Sequence, residues 1–382
     1  MLRDHTDAEA RAALPLKWGA VPEGTIPAWV AEMDWHTAPA VTDAVTAALQ
    51  RGVTGYAPFD DAGVGAAYAG FARRQWGWEV PPEASVPVPA VVPGLRLVLE
   101  SLCPPGPVVV PLPCYPPFRD VVALAGREAV HVETDPDDPE AALDLAAVER
   151  AFAAGARTLL LCSPHNPLGR VARRAELEAL RDLAAHHGAR VVADEVHAPL
   201  TLPDGPAFTP YLAVDPRGIA VTSTTKSFNA PGLPCAQVVA LDPEDRAVLQ
   251  ALPLVQTHGW SPLGAVASVA AWRHGDAWLA AVRDRVAANR DLLGTLLAAH
   301  LPLARTRRLE ATYLAWLDLR AYAAPDGRGP DPVARAEAGG VRLGPGEDYH
   351  PGLPGHARLN LATSPDRLTE VVRRLGVALA PA

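Results

Sequence analysis

Short apolar runs alternate with amphipathic stretches through the middle of the chain, and this alternation limits the fold more than any other feature. The first four runs are VVVPL (108–112), AVHVE (129–133), TLLLC (158–162) and RVVAD (190–194). Strands that alternate with helices usually pair in parallel and are covered on both faces. Two later runs, 219–223 and 236–241, extend the same sheet. The sequence therefore predicts an α/β fold with a largely parallel central sheet wrapped by helices.

Helical apolar spacing recurs between these runs and on both sides of them. The predicted helices are residues 39–51, 65–76, a segment after Tyr115, 145–153, 173–187, 262–299 with an interruption near Gly275, and 365–376. After about residue 285 the character of the chain changes. There LEATYLAWLDL (309–319), GVRLG (340–344) and HARLNLA (356–362) resemble strands, and a Pro/Gly-rich loop lies at 323–332. We predict a large domain at 45–285 and a smaller α+β domain built from 1–44 and 286–382.

The composition excludes several classes of partner. The formal net charge is −9 and no run of basic residues interrupts the acidic background, so nucleic-acid binding is not expected. No window is apolar enough for a signal peptide or a membrane span, which predicts a cytoplasmic protein without a membrane partner. The four cysteines are far apart, without a CxxC pair, so neither a zinc site nor a disulfide framework is predicted.

Lysine is almost absent from this chain, which has 32 arginines and only two lysines, Lys17 and Lys226. Guanidinium groups form ion pairs but stay protonated and form no imine, so a chain that needs a nucleophilic amine must keep a lysine. Lys226 lies in TSTTKSFNAPG (222–232), just past the end of a predicted strand. Open α/β sheets bind ligands at this edge. We therefore interpret Lys226 as a reactive group and not as a solvated surface lysine.

Several segments, in a fixed order, carry a resemblance to a known family. Four of them are LCSPHNPLGR (161–170), VVADEVH (191–197), TKSFNAPGL (225–233) and ARLNLA (357–362). They resemble the fold-type I pyridoxal 5'-phosphate (PLP) enzymes of the aminotransferase class I/II superfamily. Five more, KW (17–18), WVAEMDW (29–35), TGYAP (54–58), PCYPPF (113–118) and TYLAWLD (312–318), resemble its cystathionine β-lyase and C–S lyase branch. That branch includes the bifunctional lyase and maltose-regulon repressor.

The resemblance implies roles for individual residues around the cofactor. Lys226 would hold PLP as a Schiff base and, once freed, would remove the Cα proton of the substrate. Asp194 would pair with the pyridine nitrogen and keep it protonated, which makes the ring an electron sink. Asn166 and His197 match positions that hydrogen-bond the phenolic oxygen of the cofactor. Tyr115 matches the aromatic residue that stacks on its ring.

The phosphate of the cofactor requires backbone amides at a helix N-terminus and nearby hydroxyl groups. Val91 and Val92, before a helix predicted to start near Gly94, would supply the amides. Ser223 and Ser227, on either side of the lysine motif, would supply the hydroxyls.

Two further residues extend the implied site beyond the cofactor. Tyr56 resembles the tyrosine that reaches the phosphate in the neighbouring subunit, which implies a homodimer with shared active sites. Arg358 resembles the arginine that binds the α-carboxylate of an amino-acid substrate through two parallel hydrogen bonds, a task for which lysine is a poor substitute.

The implied residues serve both β-elimination and transamination. The branch resemblance favours C–S β-elimination, and Pro234 stands where aminotransferases frequently have a phosphate-binding arginine, eight residues after the lysine. The leaving thiolate would take its proton from Tyr115, from Tyr56 of the partner subunit or from a water. An aminotransferase is the alternative, and a regulatory protein of the same fold is a further one.

The sequence departs from the branch at several positions: Glu32 where Asp is usual, Thr225 for Ser, Pro231 for Ala, and Tyr349-His350 where Phe-Gly is common. These departures leave the cofactor-binding set whole. We expect them to affect recognition of the leaving group or the carboxylate, so L-cystathionine is one candidate substrate and another S-substituted L-cysteine is the other.

Overall fold

The computed structural model describes residues 2–138, 140–323 and 329–380. Its strands are β1 (Ile26–Pro27), β2 (Ser85–Val88), β3 (Val108–Leu112), β4 (Ala129–Glu133), β5 (Thr158–Cys162), β6 (Arg190–Asp194), β7 (Ile219–Ser223), β8 (Ala236–Val239), β9 (Arg305–Thr306), β10 (Leu314–Asp318), β11 (Val341–Arg342), β12 (Gly344–Pro345) and β13 (His356–Asn360). Its α-helices are α1 (Asp7–Ala13), α2 (Pro39–Gln50), α3 (Val64–Trp76), α4 (Val91–Ser101), α5 (Pro117–Leu124), α6 (Leu145–Ala153), α7 (Arg174–His186), α8 (Pro243–Ala251), α9 (Leu254–Thr257), α10 (Pro262–His274), α11 (Asp276–His300), α12 (Pro332–Ala338), α13 (Gly346–Tyr349) and α14 (Pro365–Ala378).

The central sheet has seven strands in the order β2-β8-β7-β6-β5-β3-β4. Every neighbouring pair from β7 to β4 is parallel, while β8 is antiparallel to both β7 and β2. Strands β5 and β7 are buried along their whole length, as expected where helices cover both faces of a sheet. The predicted α/β fold with a largely parallel sheet is confirmed.

Local sequence signals set several of the helix boundaries. The side chains of Asp144, Ser261 and Ser364 accept backbone N–H groups at the starts of α6, α10 and α14. Helices α10 and α11 are separated at Gly275, as predicted. A Cβ atom at Gly275 would lie 2.2 Å from the ring of Phe228, so this glycine lets the ring that follows Lys226 pack against the helix junction.

A smaller antiparallel sheet has the order β12-β13-β10-β9. Strand β13 is buried along its whole length, and its register places Arg358 opposite Trp316 of β10. A short parallel pair of β1 and β11 links the N-terminal segment to this region. The domain boundaries at residues 45 and 285 stay a prediction.

The structure differs from the predictions at several strands. Residues 85–88 form β2 at the edge of the large sheet, which the sequence did not predict because the run is short and contains a proline. Of LEATYLAWLDL only Leu314–Asp318 is a strand, because Thr312 has a φ of 68°, outside the extended region. GVRLG divides into β11 and β12, which belong to different sheets. Residues 324–328 of the predicted loop lie outside the described residues.

The cysteines and the helices bear on the environment of the protein. All four cysteines are buried and carry free thiols. Burial raises the pKa of Cys103 to about 11 and the pKa values of Cys114 and Cys235 to about 12, so these thiols stay protonated and pack as small apolar groups. No helix in the described ranges combines the length and the apolar character that crossing a membrane requires.

Candidate active site

A cavity of 440 Å³ lies at the carboxyl edge of the large sheet, where β6 and β7 end. Arg358 of β13 also lines it, so both sheets contribute side chains. The residues proposed from the sequence that line this cavity are Val91, Val92, Tyr115, Asn166, Asp194, His197, Ser223, Lys226 and Arg358. A concave site at this edge is where open α/β folds bind small molecules.

Lys226 follows β7 and presents its partly exposed side chain to the cavity. Its Nζ donates a hydrogen bond to the backbone carbonyl of Ala31 at 3.3 Å. Burial lowers the pKa of Lys226 to about 8; the charge of Arg358 acts in the same direction, and Glu32 and Asp194 oppose it. A substantial fraction of this amine is therefore neutral near physiological pH, and the neutral amine is the nucleophile.

Asp194 and His197 form the floor of the cavity near the end of β6. One carboxylate oxygen of Asp194 accepts the N–H of Val196 at 3.0 Å, and burial raises the pKa of Asp194 to about 6. Burial, assisted by the charges of Lys226 and Arg358, lowers the pKa of His197 to about 3. Its buried Nδ1 has no hydrogen-bond partner among the described residues. A neutral imidazole and a buried carboxylate thus face the cavity.

Arg358 is buried and held by two hydrogen bonds. Its Nη1 donates to Oδ1 of Asn166 at 2.9 Å, and its Nη2 donates to the carbonyl of Trp29 at 2.8 Å. The guanidinium carbon lies 4.9 Å from the ring centre of Tyr349, within cation–π range. The structure therefore brings the predicted carboxylate-binding arginine into direct contact with a predicted cofactor-binding residue.

The first turn of α4 offers backbone amides to the cavity. The helix begins at Val91 and not near Gly94, so Val91 and Val92 are its first two residues and do not precede it, which corrects the predicted boundary. Pro93 is tolerated in this turn because the amide of that position has no partner within a helix. No side chain caps the helix start at Ala90, which leaves the positive end of α4 open to an anion.

Of the predicted polar residues Ser223, Ser227 and Tyr56, only Ser223 lines the cavity. Ser223 lines the cavity, although its hydroxyl donates to the carbonyl of Cys235 at 3.0 Å. Ser227 is buried outside the cavity lining, and its hydroxyl donates to the carbonyl of Thr224 at 3.4 Å. Tyr56 is fully exposed and does not line the cavity of its own chain. The structure thus separates Ser227 and Tyr56 from the other predicted residues.

Residues 29–32 form one wall of the cavity, and the segment 29–35 to which they belong has a role that the sequence analysis missed. Side chains from distant parts of the chain donate to its successive carbonyl groups: Arg358 to Trp29 (2.8 Å), Asn360 to Val30 and Glu32 (2.6 and 2.7 Å), Tyr313 to Ala31 (2.9 Å), and Asn229 to Met33 and Trp35 (3.0 and 2.9 Å). The motifs WVAEMDW, TKSFNAPGL, TYLAWLD and ARLNLA contained these residues, but nothing in the sequence paired them. We call residues 29–35 the wall segment.

Comparisons with known proteins agree with this geometry. The model of the aminotransferase class I and II family matches residues 16–375, and the chain belongs to this family. Cystathionine β-lyase of Corynebacterium glutamicum is 35% identical over 374 residues, which are 95% of this chain and 96% of that protein. Cystathionine β-lyase PatB of Bacillus subtilis is 34% identical over 364 residues, which are 93% and 92% of the two chains. A candidate PLP-dependent β-cystathionase from Corynebacterium diphtheriae has a TM-score of 0.93 at 34% identity, with 99% of both chains covered. The resemblance to the cystathionine β-lyase branch is confirmed.

Proposed function

We propose that this protein is a PLP-dependent C–S β-lyase, which cleaves L-cystathionine or another S-substituted L-cysteine to a thiol, pyruvate and ammonia. The observation that carries the proposal is the meeting of three groups around one cavity of 440 Å³: the amine of Lys226, the carboxylate of Asp194 and the guanidinium of Arg358. Similarity over nearly the whole chain to proteins named cystathionine β-lyase supports the choice of reaction.

The groups around the cavity fit PLP. The buried carboxylate of Asp194, which accepts the N–H of Val196, suits the protonated pyridine nitrogen. The unpartnered Nδ1 of His197, together with Asn166, suits the phenolic oxygen. The open N-terminal turn of α4 at Val91 and Val92 suits the phosphate, and Ser223 lies on the same cavity. Ser227 stays a prediction, because its hydroxyl would have to leave the carbonyl of Thr224.

Bound PLP supplies an electron sink for the negative charge that develops at the substrate Cα. Lys226 takes the Cα proton on Nζ, which its lowered pKa of about 8 makes available as a base. Arg358 holds the α-carboxylate and thereby orients the Cα–H bond. Burial raises the pKa of Tyr115, so its hydroxyl keeps a proton that it can give to the thiolate when the Cβ–S bond breaks. Tyr56 of the partner subunit and a water are the other candidate acids.

Elimination is favoured over transamination by one position in the cavity lining. Pro234 lies there and has no cation to offer the phosphate, whereas the resemblance places an arginine at this position in many aminotransferases. The family match itself keeps an aminotransferase as the second candidate. The remaining alternative, a regulatory protein, needs neither the lowered pKa of Lys226 nor its opening to the cavity.

A substrate scan of the PLP-loaded protein tests the proposal. L-Cystathionine, L-cystine and S-alkyl-L-cysteines are each supplied, while pyruvate, free thiol and the visible absorbance of the cofactor are followed together. We expect equal amounts of pyruvate and thiol, and we expect both to vanish in Lys226→Ala. Conversion of the cofactor to its amine form without pyruvate would identify an aminotransferase. Absence of cofactor absorbance in the wild-type protein would overturn the PLP assignment.

We also infer that the protein is a homodimer in which Tyr56 reaches the phosphate site of the partner subunit. Support comes from an exposed apolar surface formed by Tyr56, Phe59, Leu254 and Val255. Its two segments lie side by side, because the ring of Phe59 is 5.4 Å from that of His258. Neighbouring exposed apolar side chains of this kind often mark a protein–protein interface. The four free thiols support a cytoplasmic location, where thiols stay reduced.

Light scattering tests the homodimer directly. Phe59→Asp places a charge on the exposed apolar surface, and we expect the mass of the variant to fall to that of one chain. Leu303→Asp, at an exposed apolar residue of another segment, serves as the matched control and should keep the mass of the wild-type protein. A wild-type protein with the mass of one chain would refute the shared site.

A further inference from the structure

Glu32 is the one departure from the branch that lies in the wall segment, and the proposed function gives it no role. Its side chain lines the same cavity as Lys226. The preceding residue, Ala31, supplies the carbonyl that accepts the Lys226 amine at 3.3 Å. The backbone of Glu32 is fixed from two sides, since Lys17 Nζ and Asn360 Nδ2 donate to its carbonyl at 2.9 and 2.7 Å. The main chain that carries the Glu32 carboxylate is therefore fixed at the part of the cavity where the Lys226 amine is bonded to Ala31.

The carboxylate of Glu32 is incompletely satisfied. Its Oε2 is buried and has no hydrogen-bond partner among the described residues. The neighbouring Asp34, by contrast, is bonded to Lys17 at 2.8 Å and to the indole N–H of Trp18 at 2.7 Å. A buried carboxylate oxygen without a partner is costly, and such groups usually have a function or an absent partner. Lys226 and Arg358 are the cations that line the same cavity as Glu32, and the amine of Lys226 is bonded to the carbonyl of Ala31, the residue next to Glu32.

The charges around the two groups act in opposite directions. Lys226 faces one cation, Arg358, and two carboxylates, Glu32 and Asp194. The imidazole of the nearby His197 is neutral. Glu32 faces Lys17 and Lys226 as cations and Asp34 as an anion. Burial raises the pKa of Glu32, and both lysines oppose that effect. Glu32 and Asp194 are thus the two negative charges that favour a proton on Lys226, and Asp194 is also required by the cofactor.

We propose that Glu32 is a positioning residue for the catalytic lysine: its carboxylate, carried by the wall segment next to Ala31, supplies the negative charge that keeps a proton on the Lys226 nitrogen. This inference rests on the proposed function, because it concerns the nitrogen that is bonded to PLP. A protonated nitrogen is the form that an incoming amino group attacks. The Asp that is usual in the branch would provide the same charge on a side chain one methylene shorter.

A pH titration of the bound cofactor tests the inference without measuring turnover. The visible absorbance of PLP bound to Lys226 reports whether the linking nitrogen carries a proton. We expect Glu32→Gln, which removes the charge and keeps the shape, to lower the titration midpoint by about one pH unit, a tenfold change in the ionisation constant. Glu32→Asp, which keeps the charge, should have a midpoint close to that of the wild-type protein. A purely structural role in packing would not produce this difference between the two variants.

Asp348 provides the matched control, because it is another carboxylate residue of the cavity lining but lies outside the wall segment. Asp348→Asn should leave the midpoint in place. An unchanged midpoint in Glu32→Gln would overturn the inference, and so would an equal displacement in Asp348→Asn. Failure of the proposed function is recognised separately, because the cofactor absorbance of the wild-type protein would then be the same as that of Lys226→Ala.

Discussion

The two lysines of this chain lie in contrasting regions. Lys17 is 1% exposed, and its Nζ is 2.8 Å from a carboxylate oxygen of Asp34, which is equally buried. Lys226 is partly exposed to the cavity, and its Nζ donates to a backbone carbonyl at 3.3 Å. Burial lowers the pKa of both amines, but Asp34 opposes the effect at Lys17 through an ion pair and a hydrogen bond. One lysine has a bonded counter-ion and the other has none among the described residues.

This difference separates a structural lysine from a reactive one. An ammonium group that is bonded to a carboxylate loses that bond when it loses its proton, so it is a poor nucleophile. An amine that donates weakly to a carbonyl can turn toward a ligand at little cost. A chain with 32 arginines has thus kept lysine at one site of packing and at one site of chemistry.

The largest effect that we expect is selective bonding of the cofactor to one of the two lysines. Borohydride reduction of the PLP-loaded protein should attach the cofactor permanently to Lys226 and leave Lys17 unlabelled, because only the amine of Lys226 reaches the cavity. Peptide mass mapping reads the outcome directly, and Lys226→Ala should carry no label. A label on Lys17 would break the comparison.

The second effect concerns stability, and here we expect the larger change at Lys17 and the smaller one at Lys226. Lys17→Met removes the cation that is hydrogen-bonded to the buried Asp34 and leaves Arg367, at 3.5 Å, as its remaining ion-pair partner. We therefore expect a loss of about 3 kcal/mol in the free energy of unfolding, at the low end of the range for a broken buried pair. Lys226→Met breaks no ion pair, and we expect a loss below about 1 kcal/mol in the cofactor-free protein. Urea unfolding of both variants measures the difference. Equal losses would show that the two environments do not differ as described.

The sequence predicted the reactive region better than the structural one. Buried apolar runs define the ends of β6 and β7, so Asp194 and Lys226 could be assigned to the carboxyl edge of the sheet before any contact was known. The resemblance then supplied Asn166 and Arg358, and the structure joins them at 2.9 Å. Periodicity and motifs are local signals, and these residues carry both.

The wall segment could not be predicted, because its contacts are long-range. Asn229 donates to a carbonyl group 196 residues away in the chain, and Asn360 donates to one 330 residues away. No pattern in the sequence pairs a side-chain amide with such a distant backbone group. The rotamer of Ser227 was equally hidden, since a hydroxyl in a turn can bond to the nearby backbone as easily as to a ligand. Side-chain direction in turns depends on packing that the sequence does not state.

The third effect is the pH dependence of cofactor capture. Only the neutral amine attacks an aldehyde, and burial lowers the pKa of Lys226 to about 8. The rate of PLP capture by the cofactor-free protein should therefore rise about tenfold per pH unit below that value and level off above it. A lysine amide in the same buffers controls for titration of PLP itself, and its rate should continue to rise. A protein rate that rises in parallel with this control would place Lys226 in an ordinary environment.

The smallest effect tests whether Arg358 also contributes to the contrast between the lysines. After burial, the charge of Arg358 is the next cause that lowers the pKa of Lys226. Arg358→Gln should therefore move the capture profile toward higher pH, by about one unit or less, because Glu32 and Asp194 then act without this opposing cation. Arg358→Lys keeps the charge and should keep the profile, although it loses the planar fork that binds carboxylates. If both variants move the profile equally, the cause is the lost contact with Asn166 and Trp29 and not the lost charge.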